Sequence, residues 1–208
     1  MARTTIGIIG AGNMGSAFAK RLAAAGHHVT ITARDTAKAE QAAAAAGGSV
    51  RAVPGDEIAQ GADVLILATY FHDAPDALRA AGDLTGKTVV DISNPLTPDM
   101  SGLSIGHTTS AAEEIQRVVP TARVVKAFNT IFAQVLGGMG KAQVLYAGDD
   151  AGAKDAVRAL IESAGFEAVD AGPLANARTL EPLGLLNIYL GYVAGRGTGN
   201  APAWVAAA

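Results

Sequence analysis

Three glycines, Gly10, Gly12 and Gly15, stand at the spacing G-x-G-x-x-G. They follow the apolar run Thr5-Ile6-Gly7-Ile8-Ile9 directly and precede a helix-forming segment, Ser16 to Ala25. A strand that turns through glycines into a helix offers an anion free backbone N–H groups and the positive end of a helix dipole. In that context the spacing is a dinucleotide fingerprint. Gly10 makes the tight turn, Gly12 has no Cβ and lets a pyrophosphate approach the backbone, and Gly15 lets the helix pack close to the strand. Asn13 and Met14 lie inside the same turn, so they join the three glycines as cofactor-binding candidates. A glycine-rich turn with no ligand is the bland alternative, and the flanking strand and helix count against it.

The nucleotide is chosen at the end of the second strand, Thr32-Ala33-Arg34-Asp35. A site for NAD usually has a carboxylate there to hold the ribose 2′-hydroxyl. Here Arg34 offers a planar guanidinium to a 2′-phosphate, with Lys38 one turn further on, so Thr32, Ala33, Arg34 and Lys38 point to NADP(H). Asp35 leaves open a displaced ribose acid. Three further strand ends supply polar tips: Ala68-Thr69-Tyr70-Phe71-His72, Ser93-Asn94-Pro95-Leu96 and Ala127-Phe128-Asn129-Thr130-Ile131. In a doubly wound fold such loops face the nicotinamide. Ala68, Thr69, Tyr70, Asn94 and Pro95 are therefore expected on the cofactor. Asn129, Thr130 and His72 are the catalytic candidates. Asn129 ranks first, because its amide both donates and accepts hydrogen bonds. His72 beside Tyr70 and Phe71 is an acid candidate or a simple hydrogen-bonding residue. No nucleophile triad, paired carboxylates or metal-ligand spacing is legible, and no metal is expected.

The elements that must hold these residues alternate in kind. Strands are expected at His28–Thr32, Ala62–Thr69, Lys87–Ile92, Arg123–Phe128, Gln143–Ala147 and Phe166–Asp170. Helices are expected at Thr36–Ala46, Ala74–Ala81, from Ser110 (capping-box spacing with Glu113) to Val119, Ala153–Ser163 capped by Asp149 or Asp150, and about Asn176 to Tyr192. Alternation of this sort calls for an α/β Rossmann-type doubly wound, mainly parallel sheet with a small C-terminal helical part. The chain suits one NADP-binding domain over 1–208, with 172–208 as a helical extension.

Half of the 208 residues are hydrophobic and 17% are charged, which fits a packed core rather than disorder. A net charge of −3 without a basic stripe speaks against a nucleic-acid partner. There is no cysteine, so thiol chemistry and disulfides are excluded and a reducing, cytoplasmic setting is expected. The start, Met-Ala-Arg, leaves no room for a leader, and Leu183 to Val193 is too short to span a bilayer, so no membrane is expected. In the last helix Leu180, Leu183, Leu186, Leu190 and Val193 recur at steps of three and four, with Leu185 and Ile188 beside them, which points to a homodimer interface.

The fingerprint, Thr32-Ala33-Arg34, the strand end Ala127-Phe128-Asn129-Thr130-Ile131 and above all Asp170-Ala171-Gly172-Pro173-Leu174-Ala175-Asn176-Ala177-Arg178 resemble the NADPH-dependent coenzyme F420 reductases. The resemblance covers nearly the whole chain. It implies a homodimeric NADP-dependent oxidoreductase that exchanges a hydride between NADP(H) and a deazaflavin stacked on the nicotinamide, with the 2′-phosphate on Ala33, Arg34 and Lys38. Archaeal members typically read Gly-Gly-Thr-Gly where this chain has Gly10-Ala11-Gly12-Asn13. They read His-Thr-Ile-Pro where it has Asn129-Thr130-Ile131-Phe132. The Ala-Phe-Asn-Thr version is similar to the cytosolic NADPH domains of six-transmembrane metalloreductases. A flavin or another small-molecule hydride acceptor is thus the second possibility, and a dinucleotide-binding sensor without turnover the third.

Overall fold

The computed structural model describes residues 3–138 and 141–206. Eight strands form one sheet in the order β3-β2-β1-β4-β5-β6-β7-β8. They are β1 (Thr5–Ile9), β2 (His28–Thr32), β3 (Val50–Ala52), β4 (Val64–Leu67), β5 (Thr88–Asp91), β6 (Arg123–Ala127), β7 (Gln143–Gly148) and β8 (Glu167–Asp170). The helices are α1 (Asn13–Ala24), α2 (Thr36–Ala46), α3 (Ala74–Arg79), α4 (Ala111–Val118), α5 (Ala133–Gly137), α6 (Ala151–Ser163) and α7 (Ala177–Ile188), the last continued by a π-helical turn at Tyr189–Val193. This is the expected Rossmann-type α/β architecture with a C-terminal helix.

Alternate residues of each central strand feed two separate cores, as the period of two requires. Ile6, Ile8, Val64, Ile66, Val90, Val125 and Ala127 pack on one face under α1, α2, α5 and α6. Ile9, Leu65, Leu67, Val89 and Val124 pack on the other, against α3, α4 and the start of α7. Helices thus cover both faces of the sheet.

Several elements differ from the sequence expectation. The edge strand β3 pairs with β2 over only three residues, too few for an alternating pattern to show. Helix α1 begins at Asn13, three residues earlier than Ser16, because the fingerprint itself forms its first turn. Asp150, not Asp149, caps α6, accepting from Ala153 N at 2.8 Å; Asp149 instead accepts from Leu174 N.

β7 runs antiparallel to β6, pairing Gly148 with Val125, and β8 runs with β7. The corner after β8 therefore does not meet the carboxyl edge of the sheet directly. Gly172 O accepts from Gly148 N, level with the middle of β6, and α7 then climbs until its middle reaches that edge. The corner is tightly specified: Gly172 has φ 93°, its N–H donates to Asp170 Oδ1 at 2.8 Å, and Lys154 Nζ bonds both Asp170 and Gly172 O. Arg178 Nε and Nη2 then donate to Glu113 at 2.8 and 2.6 Å, fastening α7 to the start of α4.

Candidate functional site

The fingerprint glycines differ in what surrounds them. Gly10 has φ 115°, and a Cβ there would stand 2.4 Å from Ala68 O. A Cβ on Gly15 would lie 1.8 Å from Gly10 O, so this glycine is the close contact between α1 and the strand end. Around Gly12 nothing lies within 4 Å of a Cβ, and the residue is exposed. Gly12 is the N-cap of α1 and makes no side-chain cap bond, and no acidic residue sits in the first turn. Orphan N–H groups and a positive dipole end remain for an anion. Asn13 is exposed beside them, while Met14 is half-buried against the α1-side core.

Two groups of strand-end residues flank this turn. One joins the ends of β2 and β4. Arg34 makes a two-pronged contact with Asp73, at 3.3 and 3.4 Å. His72 Nε2 lies 3.6 Å from the same carboxylate, and the His72 ring stacks on Tyr70 at 5.6 Å. His72 thus keeps company with Arg34, on the side where the nucleotide is read. Lys38 is exposed nearby on α2. Asp35 Oδ1 caps α2 by accepting from Ala37 N at 3.1 Å.

The other group joins β5, β6 and α7. Asn129 Nδ2 donates to Asn94 Oδ1 at 3.0 Å and to Leu180 O at 2.7 Å. Asn94 Nδ2 donates back to Asn129 O at 2.8 Å. Gly184 on α7 lies on this pair so closely that a Cβ would be 2.5 Å from Asn94 Oδ1. Asn187 Nδ2 donates to Thr130 O. The turn that delivers Asn129 is strained, since Phe128 has φ 60°, a left-handed conformation costing about 1–3 kcal/mol in a residue with a side chain. Edge-to-face packing on Phe18 at 5.0 Å and Phe166 at 6.1 Å holds it there.

Among the described residues, four buried side-chain polar atoms lack a protein partner: Thr69 Oγ1, Ser93 Oγ, Asn129 Oδ1 and Thr130 Oγ1. All follow the carboxyl ends of β4, β5 and β6. Leaving such atoms unpaired costs about 1–3 kcal/mol each, so their clustering at one edge fits a polar ligand received there. Ala68 and Pro95 belong to the ends of β4 and β5, while Thr32 and Ala33 lie at the end of β2. A cavity of about 490 Å³ lies between the loop 103–107 and α7, lined by Leu103, Ile105, His107, Pro182 and Leu185. Its loop gave no periodicity to read, so it was not foreseen.

Also unforeseen is a buried charge cluster beneath Asn94. Lys126 is fully buried; its Nζ donates to Asp91 Oδ2 at 2.7 Å and Ser93 O at 2.6 Å, and lies 2.8 Å from Glu181 Oε1. Glu181 also accepts the α4 N-terminal N–H groups of Ala111 and Ala112, at 3.0 and 3.3 Å. Burial alone pushes the Lys126 ammonium down; the Asp91 and Glu181 carboxylates outweigh it and hold the pKa above the ordinary lysine value. Lys126 sits inside an apolar strand and Glu181 inside an apolar helix. Only their placement against that pattern could have flagged them.

An uncapped helix N-terminus behind a glycine turn, flanked by polar strand ends, defines a dinucleotide-binding protein of the Rossmann class. Residues 5–95 match the family described as NADP oxidoreductase, coenzyme F420-dependent. The F420-dependent NADP reductase of Methanothermobacter marburgensis is 32% identical over 199 residues, which cover 87% of this chain and 89% of that protein. Metalloreductase STEAP3 of Rattus norvegicus is also 32% identical, over 186 residues, but this chain spans only 37% of its length. A crystal structure from Arthrobacter sp. FB24, provisionally described as an F420-dependent NADP reductase, superposes with a TM-score of 0.85 at 32% identity, covering 95% of this chain and 97% of that one. The chain belongs to the F420-dependent NADP reductase family and is an NADP-dependent oxidoreductase. No helix among the described residues is long and apolar enough to cross a membrane.

Proposed function

We propose that this protein exchanges a hydride between NADP(H) and a deazaflavin of the coenzyme F420 type, working in the cytoplasm as a homodimer. The supporting observation is the set of four unpartnered polar atoms at the carboxyl edge, next to the open approach over Gly12. The Gly12 turn and the α1 N-terminus hold the pyrophosphate, and Arg34 and Lys38 read the 2′-phosphate. His72 borders that nucleotide end rather than the reacting atoms. Asn94, Asn129 and Thr130 face the nicotinamide end, where the free Asn129 Oδ1 can accept from the ring carboxamide. NADPH, when bound, supplies the hydride.

The cavity between residues 103–107 and α7 receives the acceptor ring, with Pro182 and Leu185 as its apolar wall. The chain acts as one NADP-binding unit, and the segment from residue 172 through α7 forms the extension that roofs it. The protein's contribution is positioning, because two reactive rings held together carry their own redox chemistry. That accords with the surroundings of Asn129, whose Nδ2 is held by Asn94 Oδ1 and Leu180 O.

An anaerobic screen of acceptors tests this reading. NADPH is expected to reduce the deazaflavin with steady turnover and flavins much more slowly. Ready reduction of flavin with none of the deazaflavin would replace the acceptor. No turnover with any acceptor would leave a dinucleotide sensor.

A further inference from the structure

The buried cluster around Lys126 does more than neutralise itself. Its three ammonium bonds reach three different elements: Asp91 at the end of β5, the Ser93 carbonyl in the following loop, and Glu181 on α7. Two of the anchored residues adjoin a member of the amide group above them, and Asp91 is tied to the first of these through its bond from Ser93 N. Ser93 precedes Asn94. Glu181 follows Leu180, whose carbonyl accepts from Asn129, and it precedes by one turn Gly184, which lies on both asparagines. Lys126 itself is three residues before Asn129 on the same strand end.

The arrangement has two tiers, with charges below and amides above, sharing β5, β6 and α7. Three charges at 0–1% exposure are expensive to bury, and apolar side chains of similar volume often serve stability equally well. Directional bonds of 2.6–2.8 Å fix distances between elements, which apolar packing does less sharply.

We propose that Lys126, with Asp91 and Glu181, is a positioning device that sets the height of α7 over the nicotinamide end and so the register of Asn94 and Asn129. This inference rests on the proposed hydride-transfer site. The cluster touches no reacting atom; it acts through the amide tier.

The test combines Lys126→Met/Asp91→Asn, which removes one charge of each sign and leaves Glu181 on the α4 N–H groups, with the milder Glu181→Gln in case the first fails to fold. Gly184→Ala perturbs the amide tier directly, without altering any charge. Three readouts are taken on folded protein: NADPH affinity, the emission of bound NADPH, and the KM and kcat for the acceptor. NADPH affinity should stay within about threefold, because the phosphate contacts lie elsewhere. Emission should move toward that of free NADPH. The acceptor kcat/KM should fall by about tenfold or more for the double variant and less for Glu181→Gln.

Combining either charge variant with Gly184→Ala should give less than the product of the separate effects, by more than about threefold, because both act on one tier. Effects that multiply, or unchanged emission with unchanged acceptor KM, would overturn the inference. If the wild-type protein reduces no acceptor, the functional reading fails separately. The emission measurements and their coupling still decide whether the cluster positions the nicotinamide end.

Discussion

Gly12 and Gly15 stand three residues apart in one motif, yet a methyl group would meet open space at the first and a backbone oxygen at 1.8 Å at the second. Gly12→Val should therefore fold with a melting temperature close to that of the parent and lose NADPH binding. Gly15→Ala should lose stability as well. Both follow from thermal melts paired with NADPH titration, and unchanged NADPH affinity in folded Gly12→Val would make the fingerprint purely structural. At Arg34 the expected loss on mutation to Ala is about 1.5–3 kcal/mol of NADPH affinity, with NADH barely affected, because only the 2′-phosphate is a charged acceptor for it. Equal losses for the two cofactors, measured by calorimetry, would remove Arg34 from that role. These residues were legible because their types depart from their local pattern. Asp35 was ambiguous in sequence for a physical reason: a carboxylate after a strand can hold a ribose or cap the next helix, and the bond from Ala37 N shows that it caps.

Elements carry the next level, and the join between α4 and α7 is the informative one. Glu113 was expected to be a capping-box acid, and its backbone N–H does donate to Ser110 Oγ at 3.2 Å. Its carboxylate also receives Arg178 from the far end of the chain. The Arg178 bonds hold the Glu113 pKa below the ordinary value of 4.5, against a smaller opposing effect of burial. A depressed folded-state pKa contributes stability that is present above the unfolded value and lost as pH falls through the folded one. Glu113→Gln should thus cost about 1 kcal/mol near neutral pH, a figure kept low because Arg178 is 38% exposed. The difference from the parent should begin to shrink as pH drops below about 4.5 and vanish only once the pH is below the depressed folded-state value. Denaturant melts across that range check this, and a gap that persisted in acid would point to packing instead. The thirteen-residue α6 was legible from its period, and β1 from its apolar run set against the glycine turn. The three-residue β3, the five-residue α5 and the loop before α4 were not, since each is too short to complete a period or is set by tertiary contacts.

Across the whole molecule, the apolar stripe foreseen in the last helix divides in two. Leu180 is buried against the protein's own core, together with Glu181 and Gly184, which the stripe did not predict. Leu186, Tyr189, Leu190 and Val193 stay exposed on the other side, at 39–71% of their full accessible surface. Trp204 lies in the tail, where its backbone is paired on both sides with the Gln143 side chain. A contiguous apolar surface of that kind on a helix end fits a symmetric pairing of two copies. Light scattering should give a dimer at micromolar concentration, and Tyr189→Glu with Val193→Glu should give a folded monomer. A monomeric parent protein would remove this part of the account.

Hydride transfer itself is tested most directly by following the label. NADPH deuterated at the transferring face of its nicotinamide is mixed anaerobically with the protein and the deazaflavin, and the reduced deazaflavin is weighed by mass spectrometry. Direct transfer between two rings held at the carboxyl edge of the sheet predicts that the product carries the deuterium in ordinary water. Reduced deazaflavin without the label from either face, or no reduced deazaflavin at all, would contradict the account.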